Sequence, residues 1–191
     1  APPWAGRGRG LCSGSVGLRS LRRGRPTYPL LSVSGDKFAI GKCKVLRKRD
    51  KDKALVVAGG VTVFEALAAY EQLQKEGLSV RIIDLFSVQP IDRDELVVSA
   101  RAVGGIVITV EDHYAHGGLG DAVLWALAEE RVRAYKLAVR EIPHSGKPEE
   151  LIEKYGISAG HIVNAVKTAL ALSSALADAV RRQLLFPPPP T

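Results

Sequence analysis

The densest group of ionisable side chains in this sequence is Glu111, Asp112, His113 and His116, followed at once by Gly117, Gly118 and Gly120. The group comes directly after the apolar run Ile106–Val110, so the reading is a buried strand that ends at Val110 and releases its charged residues into a turn before a helix. The carboxyl ends of strands in open α/β sheets are where such folds build ligand sites. Successive strand residues point to opposite faces, so Glu111 and Asp112 are poorly placed to share one metal ion. Carboxylates that cap the helix amino end, with histidines at a subunit contact, suit the pattern better than a metal centre, and no metal ligand set is assigned. The glycine turn has the position of a phosphate-cradling loop, but it lacks both the Gly-x-Gly-x-x-Gly spacing and the Lys-Ser/Thr ending of a nucleotide loop.

Other reactive types are more scattered. His144 and Ser145 are adjacent and do not face each other, and no Gly-x-Ser-x-Gly elbow surrounds them, so no catalytic residue is assigned there. Lys147, beside Gly146, is a candidate anion contact. Arg25, in Gly24-Arg25-Pro26-Thr27-Tyr28-Pro29, could grip a phosphate through its planar guanidinium on a proline-stiffened backbone.

Strand and helix patterns alternate between the ends of the chain, which predicts an α/β fold with a parallel-rich sheet. Residues 42–47 form a charged, half-buried strand suited to an edge, and the apolar 54–58 a strand suited to the centre. Thr62-Val63-Phe64-Glu65 reads as a capping box opening a helix that Gly77 stops. A strand over 80–85, a helix opened by Asp92 and Glu95 and ended by Gly104-Gly105, the strand 106–110, a helix over 120–130 and a strand over 134–139 follow. Pro148 starts one further helix, and Ser158 caps a last one to about residue 170, with 171–185 able to continue it. The expected organisation is an arm over 1–35, a domain over 36–170 and a tail over 171–191 that ends in four prolines, 187–190.

Charge and composition narrow the function classes. The net charge is +7, yet residues 1–53 hold 14 Lys/Arg against 3 Asp/Glu and the rest of the chain 13 against 17. The basicity therefore belongs to the arm, and nucleic acid is not the expected partner of the domain. No apolar run reaches the roughly 18–20 residues of a membrane span, so no membrane partner is expected. Cys12 and Cys43 are the only cysteines, which is neither a disulfide framework nor a zinc spacing, and a reducing, cytoplasmic compartment is the simplest expectation. The arm is rich in Arg, Gly and Ser, with no acid before Asp36, so organelle import is the alternative if it acts as a transit peptide. The chain contains no methionine, which points to a processed product or a fragment.

From about Phe38 to Leu170 the chain resembles the carboxyl-terminal domain of transketolase, the thiamine-diphosphate enzyme that moves two-carbon ketol units between sugar phosphates. The resemblance is carried by Ala58–Leu67, by Asp84–Asp92 with its Ser87-Val88-Gln89-Pro90, by Val110–Tyr114 with Gly117-Gly118-Leu119-Gly120, and by Ser145-Gly146-Lys147-Pro148 with Glu150-Leu151. It implies a three-layer α/β/α domain with a mixed, mostly parallel five-stranded sheet whose first strand is antiparallel at or near an edge, packed in a homodimer or against companion catalytic domains. In the full-length family an amino-terminal domain with a Gly-Asp-Gly motif holds thiamine diphosphate and Mg²⁺, and a middle domain supplies the activating glutamate. No Gly-Asp-Gly occurs here, so this chain alone is expected to bind no cofactor and to be inactive. Arg25-Pro26 would be the counterpart of the family's substrate-phosphate arginine. Glu111, Asp112, His113, Gly117, Gly118 and Gly120 would form an edge facing a neighbouring domain. Related domains occur in deoxyxylulose-phosphate synthase and in the beta subunits of oxo-acid dehydrogenases. A regulatory module that binds a small anion through the glycine turn and Lys147 is the reading from a different class.

Overall fold

The computed structural model describes residues 38–185, with side chains described as far as Leu176. Its elements in chain order are β1 (Lys44–Arg47), β2 (Leu55–Ala58), α1 (Thr62–Lys75), β3 (Arg81–Asp84), α2 (Arg93–Ala102), β4 (Ile106–Tyr114), α3 (Leu119–Ala126), β5 (Arg133–Val139), α4 (Pro148–Lys154) and α5 (Ala159–Leu185). The five strands form one sheet in the order β1-β3-β2-β4-β5. β1 pairs antiparallel with β3, and every other pairing is parallel. The charged strand lies at an edge and the all-apolar strand at the centre, because only a central strand is covered on both faces.

Strand alternation divides the core in two. Val56, Ala58, Ile82, Ile108 and Val110 face α1, α4 and α5, packing with Val63, Leu73, Ile152, Ile162 and Val166. Leu55, Val57, Ile83 and Val107 face α2 and α3, packing with Leu96, Ala100, Leu119, Val123 and Leu127. The result is a three-layer α/β/α domain.

Three local expectations need correction. β4 runs on to Tyr114 instead of ending at Val110: its ladder with β5 breaks after Val110 and resumes at Tyr114 opposite Val139. Charge does not stop a strand whose backbone still finds a partner. α3 ends at Ala126 and not at Glu130, because the Leu127 amide turns back to the Trp125 and Val123 carbonyls and closes the last turn. α5 is one helix from Ala159 to Leu185, so residues 171–185 continue it, as their pattern allows.

The third correction is the capping box at Thr62. The cap position of α1 is Val61, which makes no side-chain cap bond. The Thr62 hydroxyl instead lies 3.0 Å from the Gly59 carbonyl and 2.9 Å from the Val110 carbonyl, tying the turn after β2 to the neighbouring strand. Glu65 does cap a helix, but a distant one: its Oε2 accepts from the Ala159 amide at 2.8 Å, the first residue of α5. At that end the Ser158 hydroxyl faces His161 Nδ1 at 2.9 Å. Asp92 acts as expected, accepting from the Glu95 amide, and it also receives the Cys43 amide of the edge strand region. Burial, followed by the charges of Asp92 and Glu95, pushes the Cys43 thiol up to about 12, so this cysteine is no nucleophile at neutral pH. Among the described residues no helix is long and apolar enough to cross a membrane.

Candidate functional site

The carboxyl ends of β2, β3, β4 and β5 and the entry to β1 meet at one end of the sheet, and β4 reaches furthest. Burial in β4 ends at Glu111, which is 3% exposed, while Asp112 beside it is exposed. His113 and Tyr114 are also exposed, with the His113 ring nitrogen Nδ1 3.0 Å from the Tyr114 carbonyl.

Glu111 turns back under the glycine turn. Its Oε1 accepts from the Gly120 amide at 3.1 Å, which caps α3 from the neighbouring strand, since the cap residue Gly118 has no side chain to do so. Oε2 is buried and has no hydrogen-bond partner among the described residues. Lys136 from β5 comes within 3.9 Å of Oε1, and its ammonium donates to the Ala115 carbonyl and to Asp121. Asp121 in turn accepts from the Gly117 amide at 2.6 Å. The hydrogen bond from Lys136, followed by the one from Gly117, holds the Asp121 carboxyl below its ordinary range. Lys136 therefore straps the whole turn from 115 to 121 to the sheet.

The glycines are required by what surrounds them. Gly117 has φ +76°, a conformation that side-chain-bearing residues rarely adopt. A Cβ on Gly118 would lie 1.9 Å from Glu111 Oε2 and 2.8 Å from His113 Nδ1. One on Gly120 would lie 2.2 Å from Lys136 Cε and 2.9 Å from both Glu111 Oε1 and Thr109 Oγ1. The turn is thus packed full by the chain's own carboxylate and ammonium.

That filling decides which ligands fit. A diphosphate would need free amides at this helix end, and the Gly120 amide is occupied by a carboxylate, with Asp121 adding a second negative charge. Among the described residues no three His, Cys, Asp or Glu side chains converge as a metal site. Thiamine diphosphate with Mg²⁺ does not fit the groups gathered here. Lys147 stands apart, exposed at the cap position of the seven-residue α4 and 3.4 Å from Glu150, with no hydrogen bond or ion pair to the glycine turn. His116 is exposed in the turn. Arg25 lies outside the described residues, as do the basic arm and the four prolines.

Sequence reasoning passed over Lys136, which has no motif around it. The available signal was a single lysine between Tyr135 and Leu137 in the strand next to the one that carries Glu111. Gly59, in the turn after β2, makes room for Leu119 of α3, whose Cδ1 a Cβ there would approach to 2.9 Å.

Residues 41–162 match the family model described as Transketolase, C-terminal domain. Transketolase-like protein 2 of Mus musculus is 44% identical over 158 residues, which are 82% of this chain and 25% of that protein. The transketolase of Mus musculus is 42% identical over 158 residues, with the same two shares. The chain thus spans about a quarter of the length of the curated relatives it matches. A solved structure titled "Split gene transketolase, inactive beta4 tetramer" aligns with 75% of this chain and 47% of its own, at a TM-score of 0.70 and 38% identity. The transketolase of Campylobacter jejuni aligns with 70% of this chain at a TM-score of 0.52 and 19% identity, a likeness of fold.

Proposed function

Because the chain belongs to the transketolase C-terminal domain family, we propose that it works as the C-terminal part of a thiamine-diphosphate-dependent ketol transferase, shaping the substrate channel and the subunit contact without catalysing alone. The observation that carries this reading is the saturation of the glycine turn: Glu111 and Lys136 use up the amide and the charge that an anionic cofactor would need. In that assembly thiamine diphosphate and Mg²⁺ would supply the carbanion chemistry from other domains. This chain would hold the wall of the channel, with Glu111 and Lys136 keeping the 115–121 turn in one conformation and Asp112 and His113 facing a neighbour.

The similar chain of the split-gene transketolase supports the reading, since that chain forms an inactive beta4 tetramer. Transketolases and transketolase-like proteins are among the chain's relatives at 42–44% identity, which favours ketol transfer over the chemistry of deoxyxylulose-phosphate synthase or of oxo-acid dehydrogenases. A homodimer contact through this domain, and a phosphate contact from Arg25, are parts of the same proposal.

Calorimetric titration of the purified chain with thiamine diphosphate and Mg²⁺ tests it. The expected result is no saturable heat, together with no ketol transfer from a ketose phosphate to an aldose phosphate. Saturable binding or turnover by the chain alone would overturn the reading.

A further inference from the structure

α5 is longer than the fold it packs on. The Lys167 ammonium lies 2.6 Å from Glu76, the cap residue at the end of α1, so beyond this point α1 offers no further turn to pair with. Among the described residues the contribution of α5 to the core stops at Ala169 and Leu170, yet the helix runs on to Leu185. The family match ends earlier, at residue 162. Residues 171–185 extend about 22 Å at the helical rise of about 1.5 Å per residue, and a helix of that length is marginal in water unless one face is covered. Residues four apart on a helix form a ridge. Along one such row of α5, Asn164 and Thr168 are exposed and polar, as suits a solvated surface. The same row then turns apolar: Leu172 is 52% exposed and Leu176 48%, and the sequence keeps the spacing with Val180 and Leu184. The flanking rows are small, with Ala171, Ala175 and Ala179 on one side and Ser173 and Ala177, then Arg181, on the other. Asp178 and Arg182 belong to the row farthest from the ridge.

We infer that α5 beyond Leu170 pairs with the same helix of a second copy of this chain. The face is its own complement. An apolar ridge between two shallow grooves of Ala and Ser sets into the groove of an identical helix, at the crossing of about −50° that ridges of this spacing favour. Over residues 171–180 neither the ridge nor its flanking rows carries a charge, so a strongly acidic or basic partner finds nothing to pair with. A membrane surface is a poorer match, because the polar row holds Asp178 as well as Arg182, unlike the basic face of an interfacial helix. The contact lies past the domain and does not rest on the reading under Proposed function, whose homodimer contact runs through the domain itself.

A crossing of this length buries less than the roughly 1,200 Å² of stable complexes and is reversible, so the test is sedimentation velocity of the full chain from about 10 to 500 µM. Leu172→Gln with Leu176→Gln removes the ridge and keeps helix propensity, while Ala175→Arg leaves the ridge and fills a groove with an equally good helix former. Trp125→Asp, at a residue 75% exposed on the last turn of α3, is the control for a contact made by the domain. Circular dichroism checks that each variant keeps its helix content, and Ala175→Arg keeps the test decisive if the double variant does not. The expected result is that the parent chain and Trp125→Asp pass from monomer to dimer together. The double variant and Ala175→Arg should need roughly tenfold or more protein to do so, as loss of central apolar contacts does. A parent chain that stays monomeric throughout would overturn the inference. So would parent-like dimerisation of the double variant, which would move the contact to the domain and leave the proposed function standing. Parent-like dimerisation of Ala175→Arg would overturn it as well, since a filled groove cannot receive the ridge.

Discussion

The two turns that follow the central strands solve the same problem in opposite ways. After β2, residues 59–62 bind themselves and the adjacent strand through one threonine hydroxyl, and α1 starts with no side-chain cap. After β4, residues 115–121 are held by side chains imported from the sheet, Glu111 from below and Lys136 from β5. The first turn is neutral and relies on one hydroxyl. The second is assembled from side chains of β4 and β5 and depends on charge.

The largest effect is expected where that assembly is physically obstructed. Gly118→Ala drives a methyl into the buried Glu111 carboxylate, which must shift off the Gly120 amide to admit it, and should cost about 3 kcal/mol by chemical denaturation. A cost under about 1 kcal/mol would mean that the turn yields easily and the contrast is overstated. Thr62→Val keeps the shape of the other turn but strips its hydroxyl, leaving the buried Val110 carbonyl without that donor; about 2 kcal/mol is expected. Glu65→Ala should cost about 1 kcal/mol, the usual worth of a cap. Its signature is location: amide exchange should speed up at Ala159 and the first turn of α5, not at the start of α1.

The smallest effect concerns pH. Asp121 has a lowered carboxyl value in the folded chain, so its contribution is present above the ordinary carboxylate range and is lost as pH falls through the lowered value. Acidification should therefore lower the protection of the Gly117 amide, taken as its exchange rate relative to the intrinsic rate at each pH, while the protection of Gly60 and Val61 does not respond, because residues 59–62 carry no ionisable side chain. Equal acid response at both turns would remove the distinction between them.

The pattern of apolar residues made the sheet legible. A run of Leu55-Val56-Val57-Ala58 has to be covered on both faces, and Lys44 and Arg47 have to reach water, so the centre and one edge could be read directly. Long-range partners were not legible. The spacing of Thr62 and Glu65 has the form of a local box, but the spacing is silent about an Ala159 amide 94 residues away that competes for the same carboxylate. The end of β4 was misjudged for the same reason: Glu111 reads as a turn residue until Gly120 and Lys136 are there to receive it. Within the candidate site, alternation correctly separated Glu111 from Asp112, while Lys136 stayed hidden because strand neighbours across a parallel sheet leave no spacing in the sequence.

The bond from Glu65 to Ala159 also bears on how the polypeptide is made. A ribosome finishes α1 long before it releases the start of α5, and during that interval the carboxylate waits without its donor. The second layer of helices over β2 therefore closes last, and a nascent chain stalled before residue 159 presents Leu73, Val163's future neighbours and the open flank of the sheet to chaperones.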